Sequence, residues 1–238
     1  MTPSHARPSW SLADLVATLH AGDLTATLDL RQPSLGIAAE SPGHVDRLLG
    51  IGLAATPLPP VDHWQRAADT VAVYETADRR RLRATVMWRA DTPSPGIASW
   101  EAIVSAQTAL LESDATLSVE GRIEATDVLV NDEGAWRPLD RGAPAPAAAT
   151  AVLVRRAAAA GRATSVLVAV HPQDRRGIDL RHDGGHALVS CPLFSAALEK
   201  GVLLRSRVLA AIGPAAGDET WATRVAADFA ASPPPLTT

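Results

Sequence analysis

From Leu24 to Arg31 the chain alternates apolar and polar residues without a break: Leu24, Ala26, Leu28 and Leu30 against Thr25, Thr27, Asp29 and Arg31. Successive side chains of an extended chain point to opposite faces, so this pattern predicts a half-buried β-strand. The same period recurs. Leu82, Ala84, Val86 and Trp88 share one face and Arg83, Thr85, Met87 and Arg89 the other, which makes residues 82–89 the return strand of a hairpin from Thr70–Thr76 through a turn at 77–81. Leu117–Ile123 alternates likewise, with a turn expected at 112–114. Further strands are predicted at Asp127–Val130 and Trp136–Leu139 around Asn131-Asp132-Glu133-Gly134, at Val152–Arg155, at Ser165–His171, and at Val202–Ile212. Asp183-Gly184-Gly185 between Ile178–His182 and His186–Ser190 is the strongest hairpin signal, because glycine supplies the positive φ that tight turns need.

Other segments read differently. His44–Ala54 is apolar but broken by Gly50 and Gly52, which predicts a bent or bulged strand. Trp100–Leu111 fits either period; its Ile, Val and Thr content favours a strand. Leu12, Leu15, Val16 and Leu19 have helical spacing, so a short helix is expected over 12–20, and one or two helical turns over 193–200, ended by Gly201. A helix closes the chain: Trp221, Val225 and Phe229 form one stripe, Asp218 and Glu219 sit in its first turn, and Pro233-Pro234-Pro235 ends it. About ten strands joined by short turns, with too few helices for parallel crossovers, indicate an all-β, mainly antiparallel β-sandwich or super-sandwich with a few short helices. One domain over residues 1–238 is expected, with loose ends at about 1–9 and 232–238 and an Ala/Pro-rich loop at 142–150.

Composition narrows the function classes. The net charge is −4, without the clustered positive charge of a nucleic-acid-binding surface, so no nucleic-acid partner is expected. Arg79-Arg80-Arg81 reads as a solvated turn. No apolar run approaches ~18 residues, and no membrane partner is expected. The N-terminus has no signal-peptide core, and the single Cys191 permits no internal disulfide, so a cytoplasmic location is the expectation. Cys191 reads as a small buried hydrophobe, or as a nucleophile only with a histidine beside it in space. No metal or cofactor is expected.

Candidate chemistry is sparse. His182 and His186 would face each other across a three-residue loop and, with Asp179 or Asp183, hold a metal; a solvated hairpin tip is the plainer alternative. His171 at a strand end, with Asp174 close in sequence, suits acid–base work at a pocket mouth. Arg89, Arg205 and Arg207 lie on strand faces, where each can take a carboxylate in a bidentate fashion. Arg89, Gln107, His171, Asp174 and Arg205 are the candidate ligand-binding residues. Trp88 and Trp221 belong to apolar faces and read as core. Trp64 and Trp136 sit near polar loop residues and are the better platforms for a sugar ring. Paired carboxylates suited to sugar chemistry exist in a chain with 26 acidic residues, but their spacing in three dimensions is not readable.

Ser105–Ser113, Leu198–Val208 and Thr85-Val86-Met87-Trp88-Arg89 together resemble an uncharacterised bacterial protein family over most of residues 20–238. That resemblance implies no activity and no functional residues. The order of long antiparallel strands is also similar to galactose-mutarotase-like super-sandwiches. The expectation is a non-catalytic β-sandwich that binds a carbohydrate or other small molecule. The alternatives are an epimerase- or lyase-like enzyme acting on carbohydrate from a concave sheet face through His171 or the His182/His186 pair, and a structural or scaffolding protein. The oligomeric state is open.

Overall fold

The computed structural model describes residues 8–21, 23–53, 58–174, 177–183, 185–194 and 197–233. The strands run in chain order as β1 (Ser11–Ala13), β2 (Val16–Ala21), β3 (Leu24–Asp29), β4 (Ile37–Ser41), β5 (His44–Ile51), β6 (Asp62–Arg66) and β7 (Asp69–Glu75). Then come β8 (Leu82–Ser94), β9 (Ile97–Thr108), β10 (Glu112–Asp114), β11 (Leu117–Glu124), β12 (Asp127–Asp132) and β13 (Ala135–Pro138). The last are β14 (Ala151–Arg155), β15 (Thr164–Val170), β16 (Asp179–Asp183), β17 (His186–Leu193), β18 (Ala197–Glu199) and β19 (Leu204–Pro214), followed by helix α1 (Asp218–Ala231). An eight-stranded sheet has the order β1-β2-β3-β4-β5-β11-β17-β16, and a nine-stranded sheet the order β13-β12-β14-β15-β19-β9-β8-β7-β6. The described pairings are antiparallel, and β10 with β18 makes a small third ladder. The mainly antiparallel sandwich expected from period-two patterning is the architecture observed.

One apolar interior joins the two sheets. Leu19, Leu28, Ile37, Leu48, Leu117 and Cys191 from the first meet Tyr74, Val86, Trp88, Trp100, Val168 and Val208 from the second. Trp88 Nε1 donates to Leu49 O at 3.1 Å and Tyr74 Oη to Leu30 O at 3.0 Å, so the polar atoms of both large rings are satisfied inside. Burial pushes the Cys191 thiol up to about 12, which keeps it a protonated core group rather than a nucleophile. Helix α1 lies on the outward face of the nine-stranded sheet, where Trp221, Val225 and Phe229 cover Leu153, Leu167, Leu209 and Ala211. Gly213 makes this docking possible, since a Cβ there would stand 2.8 Å from the Trp221 ring.

Two charged groups fasten these layers. Asp46 on β5 and Arg156 just after β14 are fully buried and form an ion pair between the sheets. Asp46 also accepts from Glu124 N at 3.0 Å, and Arg156 Nε donates to Thr164 Oγ1 at 3.0 Å. At the helix start, Asp218 accepts from Arg155 Nε and from Ser165 Oγ, each at 2.8 Å. Burial alone would push the Asp218 carboxyl up; the bonds from Arg155 and Ser165 outweigh it and hold the group below the usual carboxylate range.

The structure corrects three local expectations. Residues 12–20 form the β1–β2 hairpin rather than a helix: Asp14 and Leu15 take φ of 47° and 65°, as a primed turn requires, and pairing with β3 buries Ala17 and Leu19. Helical spacing in a short apolar run cannot tell these outcomes apart. The turn expected at 112–114 and the helical turns expected over 193–200 give way to β10 and β18, which pair with each other and bury Leu198, while β17 runs on to Leu193. Residues 195 and 196 of that stretch lie outside the described set.

Replacing Asp46 with Ala leaves Arg156 charged and unpaired in the interior, a loss of about 3–5 kcal/mol, whereas Asp46→Leu combined with Arg156→Met costs far less; urea denaturation of both variants measures the difference. Asp218→Asn is expected to cost about 1–2 kcal/mol at neutral pH. Because Asp218 is more acidic folded than unfolded, its contribution is complete above about pH 4 and fades as pH falls through the folded value, so wild type and variant converge in acid.

Candidate functional site

The outward face of the eight-stranded sheet carries a cleft of about 640 Å³. Four strands make its floor and a short helical turn, Pro33–Leu35, makes one wall. Glycines let the wall approach: a Cβ on Gly50 would stand 2.3 Å from Ser34 O, and one on Gly36, whose φ is +61°, 2.3 Å from Leu48 O. The break foreseen at Gly50 and Gly52 is therefore real, and it comes with a register irregularity between β5 and β11. Glu120 Oε1 accepts from Ser118 Oγ at 2.7 Å, and a Cβ on Gly52 would collide with that hydroxyl. A second hollow of about 710 Å³, lined by Asp78, Arg80 and Ser118 among others, shares Ser34 and Glu120 with the first.

Antiparallel register sorts the polar side chains of the cleft into two rows. In one, Asp179 of β16 pairs with Ser190 of β17, Ser190 with Glu120 of β11, and Glu120 with Gly50 of β5. In the next, Arg181 pairs with Leu188, Leu188 with Arg122, and Arg122 with Arg47. Strands are about 4.8 Å apart, so the Asp179 and Glu120 backbones are separated by about 10 Å with Ser190 between them. Leu35 and Leu188 add exposed apolar surface to a cleft otherwise lined by carboxylates, guanidiniums and hydroxyls. This combination suits a polyhydroxylated ligand: charged groups for hydroxyls, and aliphatic surface for the C–H face.

The residues singled out from sequence lie elsewhere. Arg89 on β8, Gln107 on β9 and Arg205 on β19 share the outward face of the nine-stranded sheet. Arg89 is engaged by Asp69 through Nε at 2.8 Å and Nη2 at 3.1 Å, and Arg205 Nε donates to Ser105 Oγ at 3.0 Å. Gln107 stands six residues along β9 from Glu101, the partner of Arg89, so about 20 Å separates it from Arg89. His171, beyond the end of β15, is buried; its ring meets Phe229 edge-on with centroids 5.4 Å apart. The Asp174 side chain lies outside the described set. Arg207 stacks over Phe229 and donates to Phe229 O, Ser232 Oγ and Pro233 O, fastening the end of α1, and pairs with Glu101 at 2.9 Å.

Other expectations are sharpened or overturned. Asp183 pairs with His186 and His182 with Ala187, so the hairpin loop has two residues and not three. His182 consequently points into the interior and His186 to the outward face, and the two rings cannot share one metal ion. No group of three potential ligands suited to a metal occurs among the described residues. His186 alternates with Leu188 and Ser190 and stands on the cleft's face, one row beyond Leu188. Trp136 is not a free sugar platform: its Nε1 donates to Thr223 Oγ1 of α1 at 2.9 Å. Trp64 is exposed on the edge strand β6. Arg80 is more than a solvated turn residue, because it donates to Thr116 O and Leu53 O at 2.8 and 2.6 Å and ties three segments together. Sequence reasoning passed over Arg47, Glu120, Arg122, Arg181 and Ser190. Their signal was charged residues at alternate positions of strands, but the pairing that collects them joins segments far apart in the chain.

Gly50→Ala forces the Pro33–Leu35 turn away from β5, which is expected to cost about 1–3 kcal/mol and to widen the cleft wall; thermal denaturation measures the first effect and hydrogen exchange at Ser34–Gly36 the second.

No family model matches the chain, and no curated protein matches it significantly. Solved structures do resemble it. An inferred aldose 1-epimerase from Klebsiella pneumoniae subsp. pneumoniae superposes with a TM-score of 0.55 at 11% identity, over 91% of this chain and 84% of that one. A GalM/aldose epimerase homologue from C. elegans gives 0.43 at 10% identity, over 80% of this chain and 96% of that one. Among the described residues no helix is long and apolar enough to cross a membrane. The first of these neighbours shares the fold of this chain.

Proposed function

We propose that this protein takes a carbohydrate into the cleft on the eight-stranded sheet and acts on it in the manner of an aldose epimerase. The observation that carries the reading is the row Asp179–Ser190–Glu120, two carboxylates flanking a hydroxyl on an open floor, with guanidiniums in the adjacent row. Exchanging the anomers of a free sugar needs a base to take the C1 hydroxyl proton and a hydrogen-bond donor to stabilise the negative charge that builds on the ring oxygen as the C1–O5 bond opens. The open-chain aldehyde turns about C1–C2, the ring oxygen attacks its other face, and the base returns the proton to the C1 oxygen. A carboxylate of this row serves as the base and the Ser190 hydroxyl between the two carboxylates as the donor. The shared fold with an inferred aldose 1-epimerase supports a sugar as the ligand, though fold alone does not determine chemistry.

Sugar binding without turnover is the second reading. It is favoured by one observation: His171 and His182 are buried, and no imidazole lines the cleft among the described residues.

Proton NMR of freshly dissolved α-anomers of glucose and galactose separates the two. Catalysis is expected to speed anomer exchange above the buffer rate, and Glu120→Gln to lower it by about 10²-fold or more. Chemical-shift perturbation confined to cleft residues with no acceleration supports the binding reading. No acceleration and no perturbation by any sugar overturns both.

A further inference from the structure

The second row of the cleft has a charge arrangement that the first does not explain. Arg122 stands directly opposite Arg47 on the neighbouring strand, and Arg181 lies two strands away on the other side, across Leu188. Like charges directly opposite in a sheet are destabilising. None of the three guanidiniums has a carboxylate within ion-pairing distance among the described residues, although on the nine-stranded sheet Arg83, Arg89 and Arg155 each have one. Glu120 and Asp179 are one row away on one side, where Glu120 is engaged by Ser118, and Glu124 and Asp183 are one row away on the other, where Glu124 is engaged by His44. Three arginines without a direct ion-pair partner among the described residues thus line one side of a cleft of ligand size.

We propose that the ligand of this cleft carries an oxyanion, a carboxylate or a phosphate, which lies over Arg47, Arg122 and Arg181. Guanidinium forks match the planar or tetrahedral oxygens of such groups, and an anion there relieves the repulsion between the arginines of this row. Glu120, Asp179 and Ser190 remain for the neutral part of the molecule. That division rests on the carbohydrate reading, whereas the oxyanion seat itself does not.

Isothermal titration at low and at 0.5 M salt tests both levels, with glucose, galactose, galacturonate, glucose 6-phosphate and inorganic phosphate as probes. An acidic sugar is expected to bind at least tenfold more tightly than its neutral counterpart, with affinity falling as salt rises. Preference for galacturonate identifies a carboxylate, preference for glucose 6-phosphate a phosphate. Arg122→Gln is expected to lower affinity for the acidic sugar at least tenfold while raising the melting temperature of the unliganded protein by about 1–3 °C, because the opposed charge is gone. A residue with a merely structural role would not give those opposite signs. Equal binding of neutral and acidic sugars overturns the oxyanion seat and leaves the sugar reading standing. Binding of inorganic phosphate as tight as that of any sugar, abolished by Arg122→Gln, keeps the seat and removes the sugar. No binding of any charged probe, with no change of melting temperature in the variant, overturns the inference outright.

Discussion

Asp46 and Arg47 are consecutive residues with opposite destinations, and the rest of the structure depends on that division. Asp46 points inward and pairs with Arg156 from the opposing sheet, both fully buried. Arg47 points outward into the cleft. Because the side-chain period of a strand is two, a slip of one residue in β5 would bring an unpaired guanidinium into the core and expose the carboxylate. An apolar interior alone tolerates some sliding between sheets. A buried ion pair does not, since separating its members strands two charges in a medium that cannot solvate them. The register that closes the sandwich is thus the register that builds the site.

The outward faces of the two sheets are finished differently. On the nine-stranded sheet, α1 covers the strands around β15 and β19, and Arg207 and His171 are absorbed in holding Phe229 and the helix end. Further along that face Val71, Val73 and Ile103 are buried, and Arg89 is neutralised by Asp69. On the eight-stranded sheet the cover over the cleft strands among the described residues is the small Pro33–Leu35 turn, which glycines at 36 and 50 bring against the backbone. The first face spends its polar groups on one another, and the second leaves several of them facing solvent.

Much of the fold was legible because alternation is a local property. Leu24–Leu30, Leu82–Trp88 and Val202–Ile212 each declare a buried face from sequence alone, although the last strand starts only at Leu204, and Trp221, Val225 and Phe229 declare a helix in the same way. Legibility failed where two periods coincide, as at Leu12–Leu19, and where three-residue strands such as β10 and β18 are too short to have a period at all. The hairpin at 183–186 was foreseen, but its loop length was misjudged by one residue, and that single step turned His182 inward and cancelled a supposed pair of ligands.

The cleft was not legible for a related reason. Glu120, Asp179 and Ser190 are ordinary polar positions on their own strands, and nothing local distinguishes them from a solvated face. They become a row only because β17 pairs with β16 on one side and on the other with β11, from which strands of the other sheet separate it in the chain. The one local trace was glycine: Gly50 and Gly52 interrupt an apolar strand at some cost in backbone entropy, and they are retained where a turn and a hydroxyl need the space. Histidine and arginine drew attention in the sequence because their chemistry is conspicuous, yet most of those residues serve packing or pair with a neighbour. In a sheet protein a site is collected by register, so a residue's neighbours across the strands say more about its role than its own side chain does.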